Sequence, residues 1–389
     1  MHKTYDRWLL LITVLLVGFG SLMIYSSTSV VTPSLAKKNI TQFFYFKKHL
    51  FTMFLGFGIM FTAYRLKPGA IKKLALPLLI FSFLLLVLVF IPGIGISAGG
   101  ARRWIRLWPS TFQPSELVKL SMVIFLAKYM SMQDYRTDSF VSFIKPIGIM
   151  AVFQVIFLKQ PDFGATVSLG ILTLSMLFLS GMRLRYLLSL TVFAAPLIIK
   201  LVKEPYRWKR ITSFLNPWDD PQGSGFQLIQ SFIALGSGGL KGVGLGESKQ
   251  KLMFLPETHT DFIFSLVGEE LGLIGATIVI ALFLVLFIKG ISTTSKAKDS
   301  FVYYLSFGLS IMIALQALIN FFVVTGMIPT KGLPLPFISY GGSSLLMNMA
   351  AVGILLNLSK GEDERKVIDR TRDMVVRKKA LRAVYGNRS

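Results

Sequence analysis

Ten runs of apolar residues, each close to the length that crosses a bilayer, divide this chain: Trp8–Ser27, Lys47–Leu66, Leu74–Pro92, Ser115–Met130, Phe143–Leu158, Asp162–Gly181, Leu184–Val202, Asp261–Lys289, Phe301–Met327 and Tyr340–Leu358. A spanning helix needs about 20 such residues. Backbone in hydrocarbon must satisfy its own hydrogen bonds, so runs of this kind specify helices packed side by side. The expected fold is an all-α polytopic membrane protein with ten transmembrane helices. Hydrophobic residues make up 53% of the chain and charged residues 16%, which excludes disorder and is unusual for a soluble domain. Residues 1–359 read as one ten-helix domain and residues 360–389 as a basic cytoplasmic tail. The first run is longer than a signal-peptide core and lies well upstream of Ser34-Leu35-Ala36, so it reads as a retained span.

Ten spans put both ends on one side. With the N-terminus cytoplasmic, the inside segments carry 24 Lys and Arg against 17 outside, eight of the latter in or beside one long loop. Long translocated loops weigh little in the positive-inside rule, which supports an N-in, C-in orientation. The net charge of +23 then reflects topology and anionic lipid headgroups rather than nucleic acid. The chain has no cysteine, hence no disulfide framework and no thiol nucleophile.

The long loop, residues 203–260 between spans seven and eight, is the large extracytoplasmic segment. It ends in FLPETHTDFIF, where Asp261 opens the next apolar run. An ionised group inside a bilayer is expensive, so a carboxylate at such a position is a functional-site candidate. Glu116, Asp162 and Asp261 each fall in the first turn of an outside-to-inside span, which places three carboxylates in one leaflet. Acids also favour helix N-termini, and capping is the alternative for Asp162 and Asp261. Glu116 and Lys119, three apart, share a helix face and can pair. Glu269 is expected about 12 Å deeper than Asp261 on a continuous helix. His259 is either a hydrogen-bonding loop residue or a proton carrier.

Cationic groups cluster on the same side. In GGARRWIRLWPSTFQPSE, Arg102, Arg103 and Arg106 alternate with Trp104, Ile105, Leu107 and Trp108. That composition suits a short helix on the headgroup layer, or alternatively anion capture by guanidinium groups. The long loop adds Arg207, Lys209 and Arg210. Its glycines, Gly236 to Gly246, form no nucleotide-binding fingerprint and read as loop flexibility. The last outer loop, GMIPTKGLPLPFISYGGSS, holds Lys331 and Ser339 among prolines and glycines; such irregular backbone is expected to line the same outer cavity. No Ser-His-Asp set, HExxH motif or His/Cys cluster is present. A carboxylate base, cations for an anionic leaving group and an apolar lateral surface suit a lipid-phosphate-linked substrate.

The motifs ARRWIRL…FQPSELVKL, KQPDFGAT, NPWDDPQGSGFQLIQS, KLMFLPETHTDFIFSLVGEELG and IPTKGLPLPFISYGGSS resemble the SEDS family (shape, elongation, division and sporulation), the FtsW/RodA proteins, over nearly the whole chain. The resemblance implies a ten-span peptidoglycan glycosyltransferase of the bacterial cytoplasmic membrane that polymerises lipid II beside a class B penicillin-binding protein. PTKG, VGEELG and NPWDDPQGSGFQ are more similar to the division branch than to the elongation branch, which implies a septal location and other division proteins as partners. It further implies that Asp261 is catalytic, that Glu116 and Lys119 are the polar pair of the QPSExxK motif, and that Asp162 is the acid of QPDFGAT. Asp261 would then take the proton of a GlcNAc 4-hydroxyl as it attacks a MurNAc anomeric carbon and expels undecaprenyl pyrophosphate. Arg102, Arg103 and Arg210 are the cations chosen to meet that pyrophosphate, with His259, Lys331 and Ser339 completing the substrate-binding set. A divalent cation, Mg or Mn, is the alternative source of positive charge. The rival functions are an elongation-type polymerase, a lipid II flippase and a silent scaffold; the outer-side clustering of charge favours outer-leaflet chemistry.

Overall fold

The computed structural model describes residues 5–28, 43–98, 101–107, 110–250 and 259–360. The expected tail, from residue 361 onward, lies outside the described residues, as do 251–258 of the long loop. Every expected span contains a helix. In chain order these are α1 (Arg7–Thr28), α2 (Phe43–Arg65), α3 (Pro68–Leu88), α4 (Pro114–Met130), α5 (Phe140–Lys159), α6 (Phe163–Leu179) and α7 (Leu184–Val202). The long loop contributes α8 (Pro205–Leu215) and α9 (Phe226–Gly238), and α10 (Ile263–Ser295), α11 (Ser300–Val324) and α12 (Gly342–Leu358) follow. Among the described residues, α1, α3, α5, α10 and α11 are each long and apolar enough to cross a membrane.

Local chemistry explains the starts. Pro68, Pro114 and Pro205 occupy first-turn positions, where a missing N–H costs nothing. Asp162 and Asp299 cap α6 and α11 by accepting from Ala165 and Val302 N–H groups. The central helix is α4, whose residues from Pro114 to Ile124 are all buried. Small residues allow close helix approach elsewhere. A Cβ on Gly353 of α12 would stand 2.3 Å from the Met60 carbonyl of α2, and Asn357 of α12 donates to Tyr64 O at 2.6 Å.

The fold is mostly helical, with one small sheet in an outer loop. Gly95–Ala98 (β1), Ala101–Leu107 (β2) and Ser110–Phe112 (β3) form an antiparallel sheet in the order β1-β2-β3. The arginine segment is therefore a strand rather than a surface helix. Its alternation fits a strand's two-residue period: Ala101 and Ile105 are buried, while Arg102 and Arg106 are exposed. Trp108 lies outside the described residues.

The eighth expected span departs most from a simple rod. Helix α10 is broken at Gly272, whose φ of 66° and ψ of −166° are non-helical. Phe264 and Phe283, about 28 Å apart on a straight helix, both pack on Phe321 of α11. The chain therefore folds back at Gly272 into a short half-helix, α10a (263–271), and a long one, α10b (273–295). Cross-links to α1 give the break its level. Lys289 of α10b pairs with Asp6 at 3.7 Å, and Glu270 accepts from Ser26 Oγ at 2.6 Å. Twenty residues of α1 separate these contacts, about 30 Å of helix and the thickness of a hydrocarbon layer. The break thus lies at the end of the bundle that carries the long loop. Asp261, at the foot of α10a, is recessed below it by the half-helix length, on the order of 10 Å. Glu269 consequently lies outward of Asp261, not deeper; the expected continuous helix reversed its direction.

The glycines of the long loop are constrained rather than flexible. Helix α9 runs beside α10a, and a Cβ on Gly238 would meet Gly268 O at 1.9 Å. Gly242, with φ of 82°, lies against the Glu270 carbonyl. Residues 239–244 then complete the interrupted ladder. Val243 N donates to Glu269 O and Gly244 N to Glu270 O, while Leu273 N and Ile274 N donate to the Gly239 and Leu240 carbonyls. Four of the groups freed by the break are thereby paired, two carbonyls before Gly272 and two N–H groups after it.

Candidate active site

Asp261 precedes α10a by two residues and is half-buried. Its carbonyl accepts from Asn320 Nδ2 at 2.8 Å, and the same amide nitrogen donates to Leu333 O at 2.8 Å. Asn320 on α11 therefore ties the Asp261 backbone to the loop between α11 and α12, residues 325–341. The carboxylate lies against that loop: a Cβ on Gly332 would stand 2.8 Å from Asp261 Oδ2. Only glycine at 332 admits the carboxylate at this distance.

The neighbour of Gly332 is Lys331, whose burial pushes its ammonium below the usual lysine range. Arg210, on α8, donates to Thr330 O at 3.1 Å, which brings a second cation from the long loop to the same stretch. His259 O accepts from Tyr340 N at 2.8 Å. Its ring packs with Tyr45 of α2 and with Tyr340, at centroid distances of 5.2 and 5.7 Å, and the two tyrosines meet edge to face at 5.5 Å. Asp261, His259, Lys331 and Arg210 are thus brought together around one loop.

Glu116 and Lys119 connect to that loop from α4, and Ser339 lies within it. Lys119 pairs with Glu116 at 2.8 Å, both about 4% exposed, and reaches Gln316 Oε1 at 3.3 Å. Gln316 Nε2 donates to Pro334 O at 2.9 Å and Ser344 Oγ at 2.7 Å. The ion pair thus communicates with the loop through one amide of α11. Ser339 Oγ accepts from Leu335 N at 2.8 Å and closes the turn inside it. Phe337 in that turn has a left-handed φ of 65° and stacks on Phe283 at 6.4 Å. The turn also rests on Gly20 of α1, where a Cβ would meet Phe337 O at 2.4 Å. Strained backbone of this kind persists where surrounding packing over-determines it.

Asp162 and the arginine strand lie to one side. Asp162 caps α6 with one oxygen, and its other oxygen accepts from Gln113 Nε2 at 3.2 Å. Arg103 donates from Nε to Gln160 O at 3.4 Å and from Nη2 to Pro161 O, holding β2 against the α5–α6 turn. Arg102 points into solvent. Among the described residues, no group of three or more His, Cys, Asp or Glu side chains converges on a metal position.

Asn320, Gln316 and Tyr45 are site residues that the sequence reading missed. Two of them left a signal: Gln316 and Asn320 are amides one turn apart in an otherwise apolar helix, so they share a face. Tyr45 left none, because its partners are remote in sequence.

A helical membrane bundle whose recessed carboxylate is flanked by cations under an irregular loop has the make-up of a polytopic membrane enzyme. The chain belongs to the FtsW/RodA/SpoVE family, described as cell cycle proteins, whose model matches residues 7–364. It is 45% identical over 359 residues to the probable peptidoglycan glycosyltransferase FtsW of Geobacter sulfurreducens, covering 92% of this chain and 95% of that one. It is 43% identical over 360 residues to the stage V sporulation protein E of Bacillus subtilis, covering 91% and 97%. Among solved structures, it is similar to a chain from a peptidoglycan synthase complex that coordinates polymerization and crosslinking, with a TM-score of 0.76, 30% identity and coverage of 92% and 98%. The rod shape determining protein RodA of Thermus thermophilus matches with a TM-score of 0.67, 25% identity and coverage of 92% and 97%.

Proposed function

We propose that this protein polymerises lipid II into β-1,4 glycan strands at the outer face of the cytoplasmic membrane, in septal wall synthesis. The observation that carries the proposal is the placement of Asp261. Its backbone is held by Asn320, its carboxylate lies on Gly332, and a half-buried lysine sits one residue away. The relatives named as peptidoglycan glycosyltransferases support the reaction class.

In this reading the acceptor's 4-hydroxyl lies against the Asp261 carboxylate. Its oxygen attacks the MurNAc anomeric carbon, and Asp261 takes the proton as general base, an effect worth about 10²–10⁴-fold in rate. The carbon–oxygen bond to the pyrophosphate breaks, and the leaving group carries away the electron pair. Attack opposite the α-linked pyrophosphate inverts the centre to β. Lys331 and Arg210 stand where they can meet the departing charge, and they need no reorganisation to do so. Arg102 and Arg103 serve at the rim or in holding the sheet. Glu116 and Lys119 shape the site through Gln316 instead of touching substrate, and Asp162 acts through α6.

The ten helices cross the bilayer with both termini cytoplasmic, so that the recess below Gly272 opens to the outer leaflet. The partner is a class B penicillin-binding protein, because the chain carries no acyl-transfer constellation for crosslinking; the similar synthase complex supports the pairing. The test is glycan synthesis from lipid II by the purified protein, alone and with that partner. Polymer that forms with the partner and is absent without protein supports the proposal. Lipid II transport between leaflets with no polymer would favour a flippase instead.

A further inference from the structure

Glu269 is a fully buried carboxylate that the proposed reaction does not use. Its two oxygens are both engaged by the long loop: Oε1 accepts from Lys249 N at 2.9 Å and Oε2 from Ser248 Oγ. The same residue's carbonyl accepts from Val243 N. One residue therefore grips the loop twice, once through its backbone at the helix break and once through its side chain. The half-helix α10a that carries Glu269 ends at its foot in Asp261. Downstream, Tyr340 holds His259 O and Asn320 holds Asp261 O. Glu269 stands on the half-helix whose foot is Asp261, and its side chain ties that half-helix to Ser248 and Lys249.

We propose that Glu269 is a positioning residue for Asp261, acting through its grip on Ser248 and Lys249. The proposal rests on the reading of Asp261 as the base. A carboxylate suits the task because it accepts from two donors at once and offers none in competition. Losing it strands the buried Ser248 hydroxyl and frees the Lys249 N–H, and α10a is loosened from residues 248–249. A misplacement of about 1 Å at a catalytic group costs on the order of 10²-fold in rate.

The absence of cysteine in the chain allows a direct test. A thiol reporter is placed by Thr260→Cys, and a control reporter by Gln222→Cys on the exposed turn before α9. Labelling rates with a maleimide are compared across Glu269→Ala, Glu269→Gln and Ser248→Ala. The proposal expects Glu269→Ala to speed labelling at Thr260→Cys by about fivefold or more, local opening being the cause, and to leave the control unchanged. Ser248→Ala, which removes one of the two side-chain ties, should give a smaller acceleration and add nothing to Glu269→Ala. Glu269→Gln, which keeps an acceptor for Lys249 N, should stay near the parent. In the polymerisation assay kcat should fall in the same order, with KM for the lipid-linked donor little changed. Unchanged labelling at 260 in both Glu269→Ala and Ser248→Ala overturns the proposal. So does a Glu269→Gln variant that labels normally yet is as inactive as Asp261→Asn, since that would make the carboxylate chemical. Because labelling needs no turnover, accelerated labelling in a parent protein that makes no glycan would support the positioning role while counting against the polymerase reading.

Discussion

At the residue scale, the site is built on close approaches between the loop and the Asp261 side chain. Gly332→Ala places a methyl group 2.8 Å from Asp261 Oδ2 and must displace the carboxylate. We expect polymerisation to fall by on the order of 10²-fold, with thermal stability in detergent close to that of the parent. Full activity of Gly332→Ala would mean that Asp261 does not work from this position. Lys331 makes a second, pH-resolved expectation. Burial lowers its folded pKa, so its charge is lost at lower pH than that of a free lysine. The folded chain then binds fewer protons than the unfolded one, and this group's contribution to stability rises with pH up to the free-lysine range. If the ammonium meets pyrophosphate, kcat/KM should decline on the alkaline side earlier than an ordinary lysine would allow. Lys331→Arg, whose guanidinium stays charged, should move that decline to higher pH. An alkaline limb that does not respond to Lys331→Arg would remove the lysine from the reaction. Asp261 itself was legible in the sequence because a carboxylate beside a long apolar run carries a solvation cost that demands a reason. Its supports were not, since Asn320 and Gly332 gain their meaning only from what folds against them.

At the scale of elements, the break in α10 decides where the site sits. Apolar runs mark where helices form, and each expected span contains one. They do not mark a reversal inside a run, because backbone groups that Gly272 frees on either side are paired by residues 239–244, some thirty positions earlier. That is why Glu269 was expected on the wrong side of Asp261, and why the loop glycines read as flexible. The strand Ala101–Leu107 was missed for another reason. Alternating arginine and apolar residues on an interfacial segment satisfy a surface helix by composition, and the pairing with β1 and β3 decides for a strand. The break can be tested by Gly242→Ala, which sets a Cβ 2.2 Å from Glu270 O at a φ of 82°. Strain of this kind costs about 1–3 kcal/mol, and it should loosen residues 239–244 from α10a. Thermal unfolding in detergent should shift down, and activity should fall with it. A variant as stable as the parent would show that the loop does not complete the ladder.

At the scale of the whole molecule, the proposed reading makes the parts a device for bringing a lipid-borne sugar to a base below the membrane surface. The Asp6–Lys289 and Ser26–Glu270 contacts set one bilayer thickness between them, and Asp261 lies inside that interval. A donor anchored by its lipid in the outer leaflet can then present its anomeric carbon at this level without leaving the membrane. In cells, depletion should block septation and give filaments of normal width, seen by microscopy of a depletion strain. Rounded or widened cells with septa intact would assign the protein to elongation instead. The most direct test of the central claim is glycan synthesis from lipid II by Asp261→Asn, purified with its penicillin-binding partner beside the parent complex. The amide keeps the size of the carboxyl and the Asn320 contact to the backbone, but it cannot take a proton. We expect polymer to fall by about 10²–10⁴-fold while complex formation and thermal stability stay near those of the parent; substantial polymer from Asp261→Asn would contradict the assignment of the base.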